Sequence, residues 1–119
     1  MGNGSIVSAG NKEAVGMNTE TALMHEIMVA LSATCRIFRI NVGTFRTADG
    51  RYVTTGVPAG FSDLFGIRNG DGRAVFIEVK TKKGKATDAQ LNFLETMRNR
   101  GALAGIARSV QDAIEIVEG

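Results

Sequence analysis

Two carboxylates and one amine stand close together near the middle of the chain. Glu78 lies fifteen residues after Asp63, and Lys80 is the second residue after Glu78. Alternate side chains of an extended strand share one face, so Glu78 and Lys80 would lie side by side in a strand. Two carboxylates can hold a hard divalent cation, and an adjacent ammonium can offset the charge of a phosphate. The set predicts metal-dependent hydrolysis of a phosphodiester, against the alternative of a turn residue and an exposed ion pair.

The flanking segments predict the strands that would bring these residues together. In the middle of residues 73–81, Val75, Ile77 and Val79 occupy alternate positions, which predicts a strand over this segment with one face in the core. Residues 61–67 are predicted to form the preceding strand, and the turn sequence at 69–72 joins the two as a hairpin. This hairpin would place Asp63 near Glu78.

Three further residues are candidate members of the site. The backbone carbonyl near Val79 would be an additional metal ligand. Glu20 falls within the apolar stripe of a helix predicted over residues 19–32, where it either reaches the metal or acts as a favourable acid in the first turn. Gln90 faces inwards on the next predicted helix, but residues 87–90 also have the sequence of a capping box. Both interpretations of Glu20 and of Gln90 stay open.

Positive charge collects on both sides of the candidate site. Such local density suits a polyanion such as nucleic acid better than a membrane. The predicted nucleic-acid-binding residues are Lys82, Lys83 and Lys85 after the site and Arg39, Asn41, Arg46 and Arg51 before it. The alternatives are a solvated surface for the lysines and structural hydrogen bonds for Arg39 and Asn41.

The composition is that of one globular domain. The chain has 119 residues, of which 44% are hydrophobic and 22% charged, with a net charge of +2. This length is enough for one hydrophobic core and too short for two. We expect residues 1–16 to form a flexible leader, native or added for expression, with Met17 as the natural start and residues 17–119 as the domain.

The remaining segments predict the other elements of the domain. Residues 35–42 are predicted to form a strand with Arg39 and Asn41 on one face, and residues 103–107 a second, short strand. Helices are predicted to begin at Thr87 and at Ser109. The element order of helix, three or more strands, helix, strand and helix then predicts a mixed sheet flanked by helices.

The numbers of cysteine and histidine residues exclude two kinds of site. Cys35 is the single cysteine and His25 the single histidine, so neither an internal disulfide nor a zinc set can form. We expect His25 on the surface rather than as a general base. The sequence contains no run long enough for a membrane span and no secretory signal pattern. We therefore expect a cytoplasmic protein without membrane association or an organic cofactor.

The ordered motifs resemble the VRR-NUC (virus-type replication-repair nuclease) family of the PD-(D/E)XK nuclease superfamily. The resemblance runs from about Thr19 to Ile116. Besides Asp63, Glu78 and Lys80, it includes RINVG at 39–43, GVPAG at 56–60, TDAQ at 87–90 and GALAGIARS at 101–109. The family usually places proline directly before the aspartate, whereas this chain has Ser62 there.

The resemblance implies a fold, a metal and roles for the candidate residues. The fold would be an α/β, restriction-endonuclease-like domain with a mixed central sheet flanked by helices, in the order α-β-β-β-α-β-α. The metal would be Mg²⁺, with Mn²⁺ as a substitute. Glu20 resembles the acid of the first helix in this family, and similar nucleases use a glutamine at the position of Gln90 to orient the lysine or the attacking water.

The resemblance also implies a substrate and an assembly. Stand-alone members of viral type resemble small resolvases, which suggests a phage-encoded homodimer that cuts branched DNA, above all four-way (Holliday) junctions. One site per chain fits this expectation, because two symmetric incisions need a two-fold dimer. Val53 and Val57 are predicted contributors to its interface. The alternative to an enzyme is a non-catalytic nucleic-acid-binding module with the same fold.

Overall fold

The computed structural model of the chain describes residues 19–119. The predicted leader, residues 1–16, lies outside this range. Within it the elements follow in the order α1 Thr19–Leu31, β1 Cys35–Arg39, β2 Thr44–Arg46, β3 Tyr52–Thr54, β4 Leu64–Arg68, β5 Ala74–Val79, α2 Asp88–Asn99, β6 Leu103–Ala107 and α3 Val110–Glu118. No helix of this range is both long and apolar enough to cross a membrane.

Four strands form a mixed central sheet in the order β1-β4-β5-β6. The hairpin of β4 and β5 is antiparallel, as its turn sequence predicted, and β1 pairs antiparallel with β4. Strand β6 returns parallel to β5 after the crossover through α2. The central sheet and its helices therefore follow the predicted order α-β-β-β-α-β-α, and the predicted α/β fold class is confirmed.

Helices cover both faces of the sheet, and β5 separates the two apolar clusters. Val75, Ile77 and Val79 are fully buried against α1 and α3. Phe76 points to the other face, where it packs with Leu94 of α2. The alternation predicted for β5 is confirmed, and the face of Phe76 is the one that also carries Glu78.

Local signals set the ends of the later helices. Thr87 caps α2 in a capping box, and Ser109 caps α3 by accepting a hydrogen bond from the Asp112 amide at 3.0 Å. These caps lie where the sequence predicted the helices to begin. Strand β6 has the predicted bounds of residues 103–107.

Three predicted strands are shorter than expected. Strand β5 covers residues 74–79 of the predicted 73–81. Strand β1 ends at Arg39 instead of residue 42, because the chain then leaves the central sheet to form the separate hairpin of β2 and β3. Asn41 therefore does not lie on a strand beside Arg39, and that expectation was wrong. Strand β4 begins at Leu64, and the three residues before it approach the sheet as a loop.

Gly66 allows β1 and β4 to pair closely, since a methyl group on it would overlap the carbonyl oxygen of Arg36. We expect Gly66→Ala to lower the free energy of unfolding by about 1–3 kcal/mol through overpacking. Urea unfolding measures this loss. Gly56→Ala is the matched control, because a methyl group there would have no neighbour within 4 Å. Equal stability of the two variants would contradict the prediction.

Candidate active site

Asp63 is held directly opposite Glu78 by the register of the hairpin. Leu64 pairs with Ile77, and one further step of this register sets Asp63 against Glu78. Asp63 Oδ2 accepts a hydrogen bond from the Val79 amide at 2.9 Å. The predicted approach of the two carboxylates is thus built by strand pairing and locked by a side-chain contact.

The loop before Asp63 is fixed on both of its sides. Gly60 has a φ of +89°, and a methyl group there would lie 2.6 Å from the Ala89 carbonyl oxygen, so the loop passes tightly against the start of α2. Phe61 then packs against Phe93, with 4.7 Å between the ring centroids. Ser62 is fully buried, and its hydroxyl donates to the Leu64 carbonyl at 2.8 Å. This hydrogen bond shapes the turn at the position where the family usually has proline.

Glu78 is a buried acid with one unsatisfied oxygen. Its residue is 2% exposed, and Oε1 is buried without a hydrogen-bond partner. The other oxygen, Oε2, lies 3.4 Å from Nζ of Lys80, whose side chain is 15% exposed. The pKa of Glu78 is raised from 4.5 to about 7, chiefly by burial and next by the charge of Asp63, while Lys80 lowers it. The alternative of an exposed strand-face ion pair is excluded by this burial.

An unpartnered buried carboxylate oxygen is costly to a fold and calls for a ligand. Asp63 and Glu78 offer hard oxygen donors, and Mg²⁺ is commonly held by one or two carboxylates together with substrate phosphates and water. The donor set thus fits a small divalent cation. Among residues 19–119, no group of three or more acidic, histidine or cysteine side chains is arranged to hold a metal.

Comparison with known proteins agrees with this geometry. The family model of the VRR-NUC domain matches residues 15–111. The chain belongs to the VRR-NUC family. The chain is also similar to a solved structure of a VRR_NUC domain. The two superpose over 83% of this chain and 94% of the other, with a TM-score of 0.56 and 24% sequence identity, which shows that they share a fold. No curated protein matches the chain. Membership makes this a nuclease-type domain, for which nucleic acid is the implied substrate.

Glu20 lies in a different environment from the one that the helical pattern predicts. By helical spacing it points the same way as Met24 and Ile27, yet it is exposed. The expected burial was wrong because the buried stripe of α1 begins one turn later, at Met24. The structure does not group Glu20 with Asp63 and Glu78, and its role in holding a metal stays a prediction.

Gln90 forms the capping box at the start of α2, which is the structural one of its two predicted roles. Its Oε1 accepts from the Thr87 amide at 2.9 Å, and the Gln90 amide donates to the Thr87 hydroxyl at 3.1 Å. The predicted capping box is confirmed. The side-chain oxygen of Gln90 is therefore engaged at the cap. Its role in orienting the lysine or the attacking water stays a prediction, and only the side-chain nitrogen, Nε2, would be left to perform it.

The predicted nucleic-acid-binding residues all lie on the surface of the VRR-NUC domain. Lys82, Lys83 and Lys85 are exposed just after β5, and Arg39 and Asn41 are exposed at the end of β1. Arg46 stacks over the Tyr52 ring at 5.8 Å, and Arg51 pairs with Asp49 at 3.0 Å, both in the β2–β3 hairpin. His25 is exposed as expected. The basic residues are thus available to a ligand, although those of the hairpin have local partners.

Sequence reasoning missed Arg108, which lies directly after β6. Its guanidinium donates to the carbonyls of Thr81 and Gly84 at 2.6 and 2.7 Å. The available signal was topological: parallel strands end at the same edge of a sheet, so a residue that follows β6 lies beside those that follow β5.

Proposed function

We propose that this VRR-NUC domain is a Mg²⁺-dependent DNA endonuclease, with Mn²⁺ as a functional substitute. The observation that carries the proposal is the buried, unpartnered Oε1 of Glu78 beside Asp63 and Lys80. Two carboxylates held against each other are unfavourable to folding unless a cation or a proton joins them. A fold without catalytic use for this pair would gain from an apolar residue at Glu78.

Each residue of the site has a proposed task. Asp63 and Glu78 would hold the cation, with the Val79 carbonyl and Glu20 as further candidate ligands. When bound, such a cation supplies Lewis-acid polarisation of the phosphoryl oxygen and lowers the pKa of water. Lys80 is the more exposed member of its pair with Glu78, and its ammonium would approach the scissile phosphate, orient the attacking water and offset the charge of the transition state.

The test is cleavage of labelled DNA in Mg²⁺, in Mn²⁺ and in EDTA. We expect cleavage with either metal and none in EDTA, while DNA binding largely survives chelation because it depends on surface charge. The rival function, a binding module without turnover, predicts salt-sensitive binding and no cleavage under any condition. Cleavage that persists in EDTA would contradict metal dependence.

The proposed substrate is branched DNA and the proposed assembly is a homodimer. The β2–β3 hairpin stands apart from the central sheet and exposes Phe45, Tyr52 and Val53 by 50%, 72% and 43%. An isolated two-stranded hairpin is marginally stable in water, so contact with a second copy would stabilise it. Two copies would supply the two incisions that a four-way junction needs.

We expect a dimer by light scattering and paired incisions in a four-way junction by gel assay. Val53→Asp should shift the protein to monomer, because a charge on the apolar surface of the hairpin would have to be desolvated in the interface. Thr54→Asp, in the same exposed strand and next to Val53, is the matched control. A strict monomer at micromolar concentration that nicks flaps but leaves junctions intact would overturn both the assembly and the substrate.

A further inference from the structure

A cleft of about 700 Å³ opens at the end of the sheet where β5 and β6 finish. Ala22, Leu23 and Glu26 of α1 line one side, and Lys82, Lys83 and Arg108 line the other. Three cations therefore face one carboxylate across an apolar floor. Thr81, the residue that follows Lys80, lines the cleft, whereas Asp63, Glu78 and Lys80 do not.

Lys82 and Lys83 occupy the two corners of a tight turn. The Gly84 amide donates to the Thr81 carbonyl at 3.2 Å, which closes the turn over residues 81–84. A methyl group on Gly84 would lie 3.5 Å from Cδ of Lys80, so the turn also rests against the stem of that lysine. The position of the turn therefore matters both to the cleft and to Lys80.

Arg108 holds this turn from outside. One guanidinium nitrogen, Nη1, donates to the carbonyls of Thr81 and Gly84, the first and last residues of the turn. The Lys80 amide donates to the Ala107 carbonyl at 3.1 Å. The Arg108 side chain thus extends the parallel pairing of β5 and β6 beyond the point where the two backbones separate.

Arg108 is itself anchored through its backbone. Its backbone amide donates to Asp112 Oδ2 at 2.9 Å, in the first turn of α3. Within residues 19–119 its guanidinium forms no ion pair, so the positive charge is not neutralised by a carboxylate. A guanidinium that donates to two carbonyls and has no carboxylate partner can brace the turn without cancelling the positive charge of the two lysines.

We propose that the cleft binds a backbone phosphate of the nucleic-acid strand next to the scissile phosphate, and that Arg108 is the residue that positions Lys82 and Lys83 for it. This inference rests on the proposed DNA substrate. The cleft offers charge without base-reading groups, so it contributes affinity independent of sequence. Glu26 moderates the charge of the cleft from the side of α1.

The test is the salt dependence of DNA binding in EDTA, where cleavage does not interfere. Anisotropy with a short fluorescein-labelled duplex measures wild type, Arg108→Ala, the Lys82→Ala/Lys83→Ala pair and the triple variant. Each phosphate contact contributes about 0.9 to the slope of log affinity against log salt. If Arg108 acts through the lysines, Arg108→Ala should remove more than one contact and weaken binding by about 10-fold, and the triple variant should be little weaker than the lysine pair.

Arg100→Ala is the matched control, since Arg100 is exposed at the end of α2, before β6 begins. It should leave the coupling between Arg108 and the lysines unchanged. Urea unfolding checks that each variant is folded. If Arg108→Ala is not folded, Arg108→Lys replaces it, because a lysine keeps the positive charge but has a shorter side chain and lacks the planar guanidinium.

Two results would overturn the inference. One is an Arg108 variant that binds with the affinity and slope of wild type. The other is a triple variant whose loss is the full product of the separate losses, because Arg108 would then act independently of the lysines. Failure of the proposed function is a different result, in which the wild-type protein itself binds no DNA.

Discussion

Glu78→Gln should abolish cleavage while making the metal-free protein more stable near neutral pH. Loss of cleavage follows because the amide cannot replace the charge of a carboxylate toward a cation. Even the loss of a residue that only supports a metal ligand costs about 10–100-fold, so we expect at least a 100-fold reduction. The gain in stability follows because the buried carboxylate is held against Asp63 with one oxygen unpartnered.

The stability difference should depend on pH with a defined sign. The pKa of Glu78 is about 7 in the folded chain and 4.5 in its ordinary setting, so the folded state keeps the proton longer. The contribution of Glu78 to the stability of the wild-type protein is therefore greatest below about pH 4.5 and falls as the pH rises to about 7, after which it stays constant. Over this pH range the free energy of unfolding should fall by about 1–3 kcal/mol, a range that allows for solvent screening.

Urea unfolding in EDTA at about pH 5 and about pH 8 measures this difference. We expect Glu78→Gln to gain stability over wild type mainly at the higher pH. Glu95→Gln is the matched control, because Glu95 is an exposed acid on α2. A Glu78→Gln protein that cleaves DNA at the wild-type rate would refute the active site, and a pH-independent stability difference would refute the strained carboxylate.

The grouping of Asp63, Glu78 and Lys80 was predictable from the sequence, because it depends on the local periodicity of two neighbouring strands. Alternation in β5 places Glu78 and Lys80 on one face whatever the rest of the fold does. The turn sequence between β4 and β5 then determines the register, and the register sets Asp63 opposite Glu78. The same reasoning located the caps at Thr87 and Ser109, since capping needs only a few neighbouring residues.

Features that depend on how distant parts of the chain pack together were not predictable from local patterns. Helical spacing gives the direction of Glu20 but not whether the core extends far enough along α1 to bury it. The contacts of Arg108 join residues 24 and 27 positions apart, and no periodicity encodes such a bridge. The departure of the chain from the sheet after Arg39 is likewise set by tertiary packing, which overrides strand propensity.

Lys80→Met should reduce cleavage at neutral pH by about 10²–10³-fold, the usual cost of losing a group that stabilises charge in the transition state. The variant should also change the pH profile. Lys80 lowers the pKa of Glu78, so its removal raises that pKa above about 7 and leaves less carboxylate to hold a cation at neutral pH. Part of the defect should therefore recover as the pH rises to about 9, where Glu78 is ionised in both proteins.

Single-turnover cleavage at one fixed Mg²⁺ concentration below saturation, across this pH range, measures the ratio of wild-type to Lys80→Met rates. Lys80→Arg keeps the charge and should leave the pH dependence of Glu78 close to that of wild type. Lys85→Met is the matched control, because Lys85 is exposed outside the ion pair and its loss should weaken binding equally at every pH. A rate ratio that stays constant over the range would show that Lys80 does not control the ionisation of Glu78, and a Lys80→Met enzyme of wild-type rate would remove Lys80 from the chemistry.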